Sequence, residues 1–488
     1  MDGCERLGPV DAMFLDLEEP CAHMHVGGVL RFEGRPPRHD ALVAHVASRL
    51  DRVPRYRQQL APVPLHLGRP VWVDAASLDV AWHVPRLALP APGEAGLKAL
   101  AARFLAEPLD RARPLWRLAL VDGLGEDRFA LLSKTHHCVL DGIGGMDFLA
   151  AITDARPVAP AVAESAPWRP RPAPGPVARL AAALADALLR PARVVRDALT
   201  PGTDWRRKLL ELARGARPLA ELALSWPAPR SPLDARVGPE RAWETLSLDL
   251  AAVREVRAAL GGTINDVVLA VVAGALRTLL AARAEPIPGE LRAVVPVNVR
   301  PPSARGTYGN QVSLFFCPLP LGEPVAVERL RKVSAATRRL KERGQAAGVV
   351  AFERLGELVP AVVAAEAMQV VLAMRCFNLV VSNIPGPAEP RYLLGGELVA
   401  CHPAIPLAAG QSLAIGLVSC GPKLDVGLLA GAERARDLPV LAAAMEAELA
   451  ALHAEARRAP APPSTLAAAS AIGVGGREAA GARPLAAP

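Results

Sequence analysis

Residues 128 to 152 constrain the fold of this chain more than any other stretch. Arg128 to Thr135 is an apolar run with the length of a largely buried strand. His136 and His137 stand at its end, Gly142, Gly144 and Gly145 follow, and Met146 to Ile152 opens a helix. Any fold must therefore accommodate a strand that ends in two histidines and passes through a glycine-rich turn into a helix. Strand alternation sends His136 and His137 to opposite faces, so only one of them enters a given site. The full run His136-His137-Cys138-Val139-Leu140-Asp141-Gly142 pairs a general base with a group able to hold it.

That pairing suits acyl transfer to a hydroxyl. An alcohol attacks a thioester poorly unless its proton leaves as the new bond forms, and imidazole, with a reference pKa of about 6.5, is matched to that task at neutral pH. Positioned base catalysis contributes roughly 10²- to 10⁴-fold. A lone histidine at such a turn is more often a capping or packing residue; two histidines and an aspartate at this spacing favour chemistry.

Composition narrows the class. A chain of 488 residues is long enough for two domains and a large core. It is 51% hydrophobic and only 4% aromatic, so the core is aliphatic. No uninterrupted apolar run of about 18 residues suggests a membrane-spanning helix, and Met1 to Arg6 lacks the basic-then-apolar order of a secretion signal. A cytoplasmic protein is expected. Seven scattered cysteines suggest reduced thiols without metal-ligand spacing. Cys138 inside the histidine motif is a weak candidate nucleophile.

The formal charge of +7 fits nucleic acid, an anionic membrane or an anionic co-substrate, and its location helps to choose. Arginines crowd the Pro- and Ala-rich stretch between Trp168 and Arg241. Pro170, Pro172, Pro174 and Pro176 make its beginning an extended connector. From Val177 to Thr200 the pattern is helical, with Leu180, Leu184, Leu188, Val195 and Leu199 on one face and Arg179, Arg190, Arg193 and Arg196 on another; Pro191 should kink or divide it. Trp205 to Trp226 repeats the mixture of basic, leucine and tryptophan residues. This composition suits the plane of a membrane interface, and equally a crossover linker packed on the protein's own surface. No nucleic-acid module is evident.

The C-terminal half alternates strand-like and helix-like runs. Val253 to Leu260 is helical, Gly261-Gly262 breaks it, and Thr263 with Asp266 forms a capping box ahead of a long buried helix from Val267 to Arg283. Asn265 lies in that first turn, where a side-chain amide and unpaired backbone N–H groups can face a developing anion. Leu291 to Arg300 and Phe377 to Asn383 read as core strands. Ser382 and Asn383, in Ser382-Asn383-Ile384-Pro385-Gly386-Pro387, fit a turn or a site equally well.

The histidine motif resembles that of the CoA-dependent acyltransferase superfamily, and its flanks are similar to bacterial wax ester synthase/acyl-CoA:diacylglycerol acyltransferases. The flanks are Pro114-Leu115-Trp116-Arg117-Leu118 just upstream, Pro9-Val10-Asp11-Ala12-Met13-Phe14, Met24-His25-Val26-Gly27-Gly28, Pro54-Arg55-Tyr56-Arg57-Gln58, Thr263 to Ala270, Pro296 to Arg300, Gly309-Asn310 and Ser382 to Pro387. Ser77 to Val80 and Ser419-Cys420 depart from the family pattern.

The resemblance implies an α/β fold of two domains like chloramphenicol acetyltransferase, with mixed sheets flanked by helices and a channel at their interface. It implies His137 as base, Asp141 ordering the motif through a buried ion pair, Asn265 near the active site and Glu18 facing the pocket. It further implies an O-acyltransferase that joins fatty acyl-CoA, as co-substrate, to diacylglycerol or a long-chain alcohol. No other cofactor, no metal and no nucleic acid is expected. The protein is expected at the inner membrane face or lipid inclusions, peripherally bound. Two alternatives are a related acyltransferase acting on a small hydroxylated metabolite and a non-catalytic lipid-inclusion-binding protein. His136, His137, Asp141, Gly142 and Asn265 are thus the catalytic candidates, and Glu18, Ser382 and Asn383 the substrate-binding ones. The corresponding divisions are residues 1–153, a linker of 154–230, residues 231–456 and a disordered tail of 457–488.

Overall fold

The computed structural model describes residues 5–139, 142–158, 168–199, 227–298, 312–342, 375–408 and 410–459. The N-terminal half runs α1 (Pro9–Asp16), β1 (His25–Glu33), α2 (His39–Arg49), β2 (Gln58–Ala61), β3 (Val71–Asp74), α3 (Val80–His83) and β4 (Arg86–Leu87). It continues α4 (Gly93–Ala106), β5 (Trp116–Val121), β6 (Arg128–His136), α5 (Gly142–Ile152) and α6 (Pro176–Leu199). The second half begins β7 (Arg241–Asp249), α7 (Leu250–Leu260), α8 (Ile264–Ala282), β8 (Leu291–Asn298), β9 (Val312–Leu319) and α9 (Ala326–Glu342). It ends β10 (Leu379–Ile384), β11 (Tyr392–Leu393), β12 (Gly396–Ala404), β13 (Leu413–Cys420), β14 (Lys423–Gly431) and α10 (Asp437–Arg458).

Two six-stranded mixed sheets organise these elements, in the orders β11-β12-β1-β6-β5-β4 and β7-β14-β13-β10-β8-β9. The fold is α/β with two domains, as the resemblance implied. The second sheet carries α7 to α10 and the larger aliphatic core. At its centre α8 is apolar on all sides, because it is enclosed rather than half-buried. Its length and composition would suffice to cross a membrane, but its side chains are mostly packed inside the protein. The expected breaks hold: Gly261 and Gly262 both have φ near +85°, and Thr263 and Asp266 form the reciprocal capping box.

A linear division of the sequence leaves out one feature. Strand β12 belongs to the C-terminal half but pairs antiparallel with β1 in the first sheet. This crossover brings backbone so close that side chains are excluded. A Cβ on Gly28 would lie 2.2 Å from the His402 carbonyl oxygen, and one on Gly427 would lie 2.0 Å from that of Pro403. A cluster of Val29, Leu132, Ala404, Trp243 and Leu429 fills the space between the sheets.

Three expected boundaries differ. The helix after the histidine motif starts at Gly142 and so includes the glycines assigned to a turn. Each glycine costs about 1 kcal/mol in a helix, and burial of Phe148, Leu149 and Ile152 against the first sheet's core offsets this. Helix α6 continues past Pro191 undivided. The last helix reaches Arg458, slightly beyond the start of the expected tail. The second basic stretch, 205–226, lies outside the described residues.

Candidate active site

The end of β6 is held from both sides. The His136 N–H donates to the Leu115 carbonyl of the Pro-Leu-Trp-Arg-Leu segment (2.9 Å), and the His137 N–H donates to that of Met24 (2.8 Å). Register pairs His25 of β1 with His136. His137 is one residue past the strand, so the turn and the Met24 bond set its direction, in place of the strand alternation expected from sequence. Its ring stacks on Phe14 of α1, with centroids 3.9 Å apart and planes 11° apart.

His136 is almost fully buried. Its Nδ1 accepts the Cys138 backbone N–H at 3.1 Å, and its Nε2 lies 3.5 Å from Glu18 Oε1. Only Nδ1 is hydrogen-bonded; Nε2 is enclosed beside the carboxylate without a hydrogen bond of its own among the described residues. His137, one residue on, is only half-buried at the turn.

Glu18 is the hub of this region. Besides His136 it faces His25 Nε2 at 3.5 Å and His23 Nδ1 at 3.7 Å, and it accepts from Arg111 at 2.5 Å. Burial alone would raise its pKa, but the His136 ring, Arg111 and His25 outweigh burial and hold it well below the ordinary carboxylate range. Burial, with His136 and Lys134 beside it, pushes the His25 imidazole well below its ordinary pKa. Lys134, also on β6, is buried with its Nζ donating to the carbonyls of Phe104 (2.6 Å) and Glu107 (2.7 Å), and burial brings its pKa down to about 8.

An aromatic bed lies on the other face of β6. The Tyr56 hydroxyl bonds Thr135 Oγ1 (3.1 Å), Tyr56 stacks on Phe148 of α5, and Trp116 Nε1 donates to the Tyr56 carbonyl (2.8 Å). The far end of α5 is pinned by a buried Arg49–Asp154 pair at 3.0 Å and by Arg391, which donates to the Ala150 and Thr153 carbonyls. The helix that follows the histidine motif is thus fixed by residues from both halves of the chain. Opposite it, Val418, Cys420 and Ile384, at the ends of β13 and β10, share a cluster with Cys138 and Val139.

The wax ester synthase/diacylglycerol acyltransferase catalytic domain matches residues 7–268, and the WS/DGAT C-terminal domain matches residues 308–453. The chain belongs to the wax ester synthase/diacylglycerol acyltransferase family. It is 31% identical to a probable diacylglycerol O-acyltransferase of Mycobacterium tuberculosis, covering 93% of this chain and 96% of the relative. A second such protein of that organism is 32% identical over 90% and 97% of the two chains. Among solved structures, the wax ester synthase/diacylglycerol acyltransferase of Marinobacter aquaeolei VT8 superposes with a TM-score of 0.62 and 27% identity, over 93% of this chain and 100% of that one. The first condensation domain of the CDA synthetase shares the fold alone, at a TM-score of 0.58 and 18% identity over 94% and 98% of the chains. The protein is an acyltransferase.

Within this family member the predicted residues are distributed unevenly. Glu18 and His136 come together, with His137 one residue beyond, and the Glu18 side chain is only 11% exposed. Asp141 lies outside the described residues, as do Arg300 and Gly309-Asn310; of Gly142 only the backbone is described, as the first residue of α5. Asn265 sits half-buried in the first turn of α8, with no hydrogen bond joining it to the histidines among the described residues. Ser382 is buried within β10, and Asn383 is half-buried beside it. The turn after them is structural in part: the Gly386 N–H donates to Ser419 Oγ, and a Cβ on Gly386 would meet the Ser419 carbonyl oxygen at 2.2 Å. Cys138 is buried with its thiol pushed well above the usual range by burial, which opposes a thiolate nucleophile.

His23, His25, Arg111 and Phe14 escaped the sequence reading as site residues. The signal for His25 was present: it occupies a strand that ends level with His136. Phe14 and Arg111 carry no local pattern, because their relevance comes from approach across 123 and 93 positions.

Proposed function

We propose that this acyltransferase joins a fatty acyl group from acyl-CoA to the hydroxyl of diacylglycerol or a long-chain alcohol, yielding triacylglycerol or wax ester. The observation that carries the reading is the division of labour between the adjacent histidines. His136 is almost fully buried, with Nδ1 held by the Cys138 N–H and Nε2 enclosed 3.5 Å from Glu18, and His137 stands beside it, half-buried on Phe14. In this reading His137 takes the hydroxyl proton as the alcohol oxygen attacks the thioester carbonyl. The carbon–sulfur bond then breaks, the thiolate of CoA leaves, and the proton returns to it from His137. No acyl-enzyme is required, consistent with the buried, protonated thiol of Cys138. Glu18 orients His136 and thereby the turn. Asn265 is the candidate for stabilising the oxyanion, since Thr263 caps Asp266 and leaves the first turn of α8 with other N–H groups to offer.

Purified protein given labelled palmitoyl-CoA and a panel of diacylglycerol, hexadecanol and small hydroxylated acceptors tests this. Ester should form with the lipid acceptors and should require His137. Preference for a small hydroxyl compound would move the reading to the metabolite-acylating alternative. In the same assay Asn265→Asp, which puts negative charge where the oxyanion forms, should be slower than Asn265→Ala. A wild-type rate for Asn265→Asp removes Asn265 from the site, because a negative charge at a helix N-terminus is otherwise tolerated.

A further inference from the structure

A helix lying on a protein ordinarily turns its apolar stripe inward, and α6 does the reverse. Its polar side is docked: Arg179 donates to the carbonyls of Pro62 (3.0 Å) and Pro174 (2.7 Å), and Asp186 pairs with Arg6 at 2.5 Å. Between these anchors Ala183 packs at Gly68. Outward stand Val177, Leu184, Leu188 and Leu189, with Val177 and Leu188 each about four-fifths exposed at 80% and 79%.

The turn at Pro64–His66 packs against this helix and adds to the stripe. Leu65 and His66 both hold left-handed backbone, φ +60° and +53°, which is unfavourable for residues with a Cβ. That conformation leaves Leu65 77% and Leu67 45% exposed. Single exposed leucines are ordinary; Val177, Leu184 and Leu188 on one helix face, with Leu189 at its side and Leu65 and Leu67 on the turn that packs against it, are not.

We propose that α6 and the Leu65–Leu67 turn form the surface by which this protein docks on an anionic phospholipid bilayer. Charge complementarity selects that occupant. Residues 168–230 hold twelve Lys/Arg and five Asp/Glu, an excess equal to the entire formal charge of +7, so the remainder of the chain is neutral. Arg179 itself bonds to carbonyl oxygens and pairs with no carboxylate among the described residues. A leucine face within the most basic segment of the chain fits the headgroup region of an anionic leaflet.

Position gives the surface its use. Asp16, at the end of α1, has its pKa raised chiefly by burial, and His66 is close enough to pull against that rise. The same helix carries Phe14, on which His137 stacks. The docked face therefore adjoins the element that lines the candidate base, where a membrane-borne acceptor has to arrive. The inference rests on the lipid-acceptor reading for its use, and not for its test.

Flotation of full-length protein with phosphatidylglycerol/phosphatidylcholine vesicles, alongside a variant carrying Leu65→Ser, Leu67→Ser, Leu184→Ser and Leu188→Ser, decides the matter without reference to turnover. Wild type should float, salt should reduce binding, and the variant should bind more than about tenfold less, with an unchanged melting temperature and unchanged acylation of a water-soluble alcohol. Equal flotation of both proteins overturns the proposal. So does a lowered melting temperature with undiminished binding, the result expected if residues 200–226 of the chain itself cover the stripe. Binding to phosphatidylcholine-coated triolein droplets and not to the anionic vesicles overturns it as well.

Discussion

Glu18 and Asp425 are both buried carboxylates beside histidines, and their electrostatic states are opposite. Glu18 faces three imidazoles and the largely exposed Arg111, which together overcome burial and keep it strongly acidic. Asp425 is fully buried. It accepts the Ser247 hydroxyl (2.6 Å) and the Cys401 N–H (2.7 Å), with His402 Nε2 3.9 Å away. No guanidinium or ammonium bonds to it among the described residues, so burial raises its pKa, and burial pushes His402 down to about 3. Ser, His and Asp thus meet at the crossover strand without the geometry of a catalytic triad, because the carboxylate holds the hydroxyl instead of the imidazole. Residue identity does not separate a reactive cluster from a structural one; counter-charge and access do.

The contrast breaks most decisively at the base. His137→Ala should lower kcat by about 10²- to 10⁴-fold with circular dichroism and melting unchanged. His136→Ala should lose rate less steeply and lose stability as well, since its ring is buried between Glu18 and Cys138. A folded His137→Ala enzyme releasing CoA at the normal rate sinks the assignment of the base.

Parallel substitutions in the two carboxylates come next. Glu18→Gln weakens a hydrogen bond to a charged group, worth about 1.5–3 kcal/mol, and should cost roughly 10- to 10²-fold in kcat if that bond matters in the transition state. Asp425→Ala should leave the rate within a factor of a few. It strips acceptors from Ser247 and Cys401, at about 1–3 kcal/mol each, and should shift the urea midpoint accordingly. Equal effects of the two changes on rate would erase the distinction between the clusters.

The smallest effect is in the pH dependence of stability. His402, at about 3, and His83, held at about 4 chiefly by burial, stay neutral in the folded chain, whereas unfolded imidazole titrates near 6.5. As pH falls below about 6.5 the unfolded chain takes up protons that the folded one refuses. Stability therefore declines toward pH 4 and flattens below the folded values, by on the order of 1–2 kcal/mol per imidazole between pH 7 and 5. Urea titrations at pH 7 and 5 should give a shallower decline for His402→Gln, and an unchanged slope would disconnect His402 from acid sensitivity.

Much of the first sheet's strand-turn region and of the second domain's helices was legible because it depends on neighbours in sequence. The run before His136 has the length and apolarity of a strand, Gly261-Gly262 stops α7, and Thr263 with Asp266 starts α8. The start of α5 was misplaced because local glycine preference loses to the packing of Phe148 and Ile152 several residues on. The leucine face of α6 was visible as periodicity, but which way it turned was not. That depended on Pro62, Arg6 and Gly68, more than a hundred positions earlier.

By itself the sequence determined the family, the strand ending in two histidines and the type of chemistry an imidazole there can perform, since motif spacing and hydrophobic period are properties of adjacent residues. Only the tertiary structure decided which histidine is enclosed, that Glu18 gathers three imidazoles, and that β12 crosses between the sheets to place His402 against Asp425. Those outcomes depend on distance and dielectric between groups far apart in the chain, and neither quantity exists until the chain has folded.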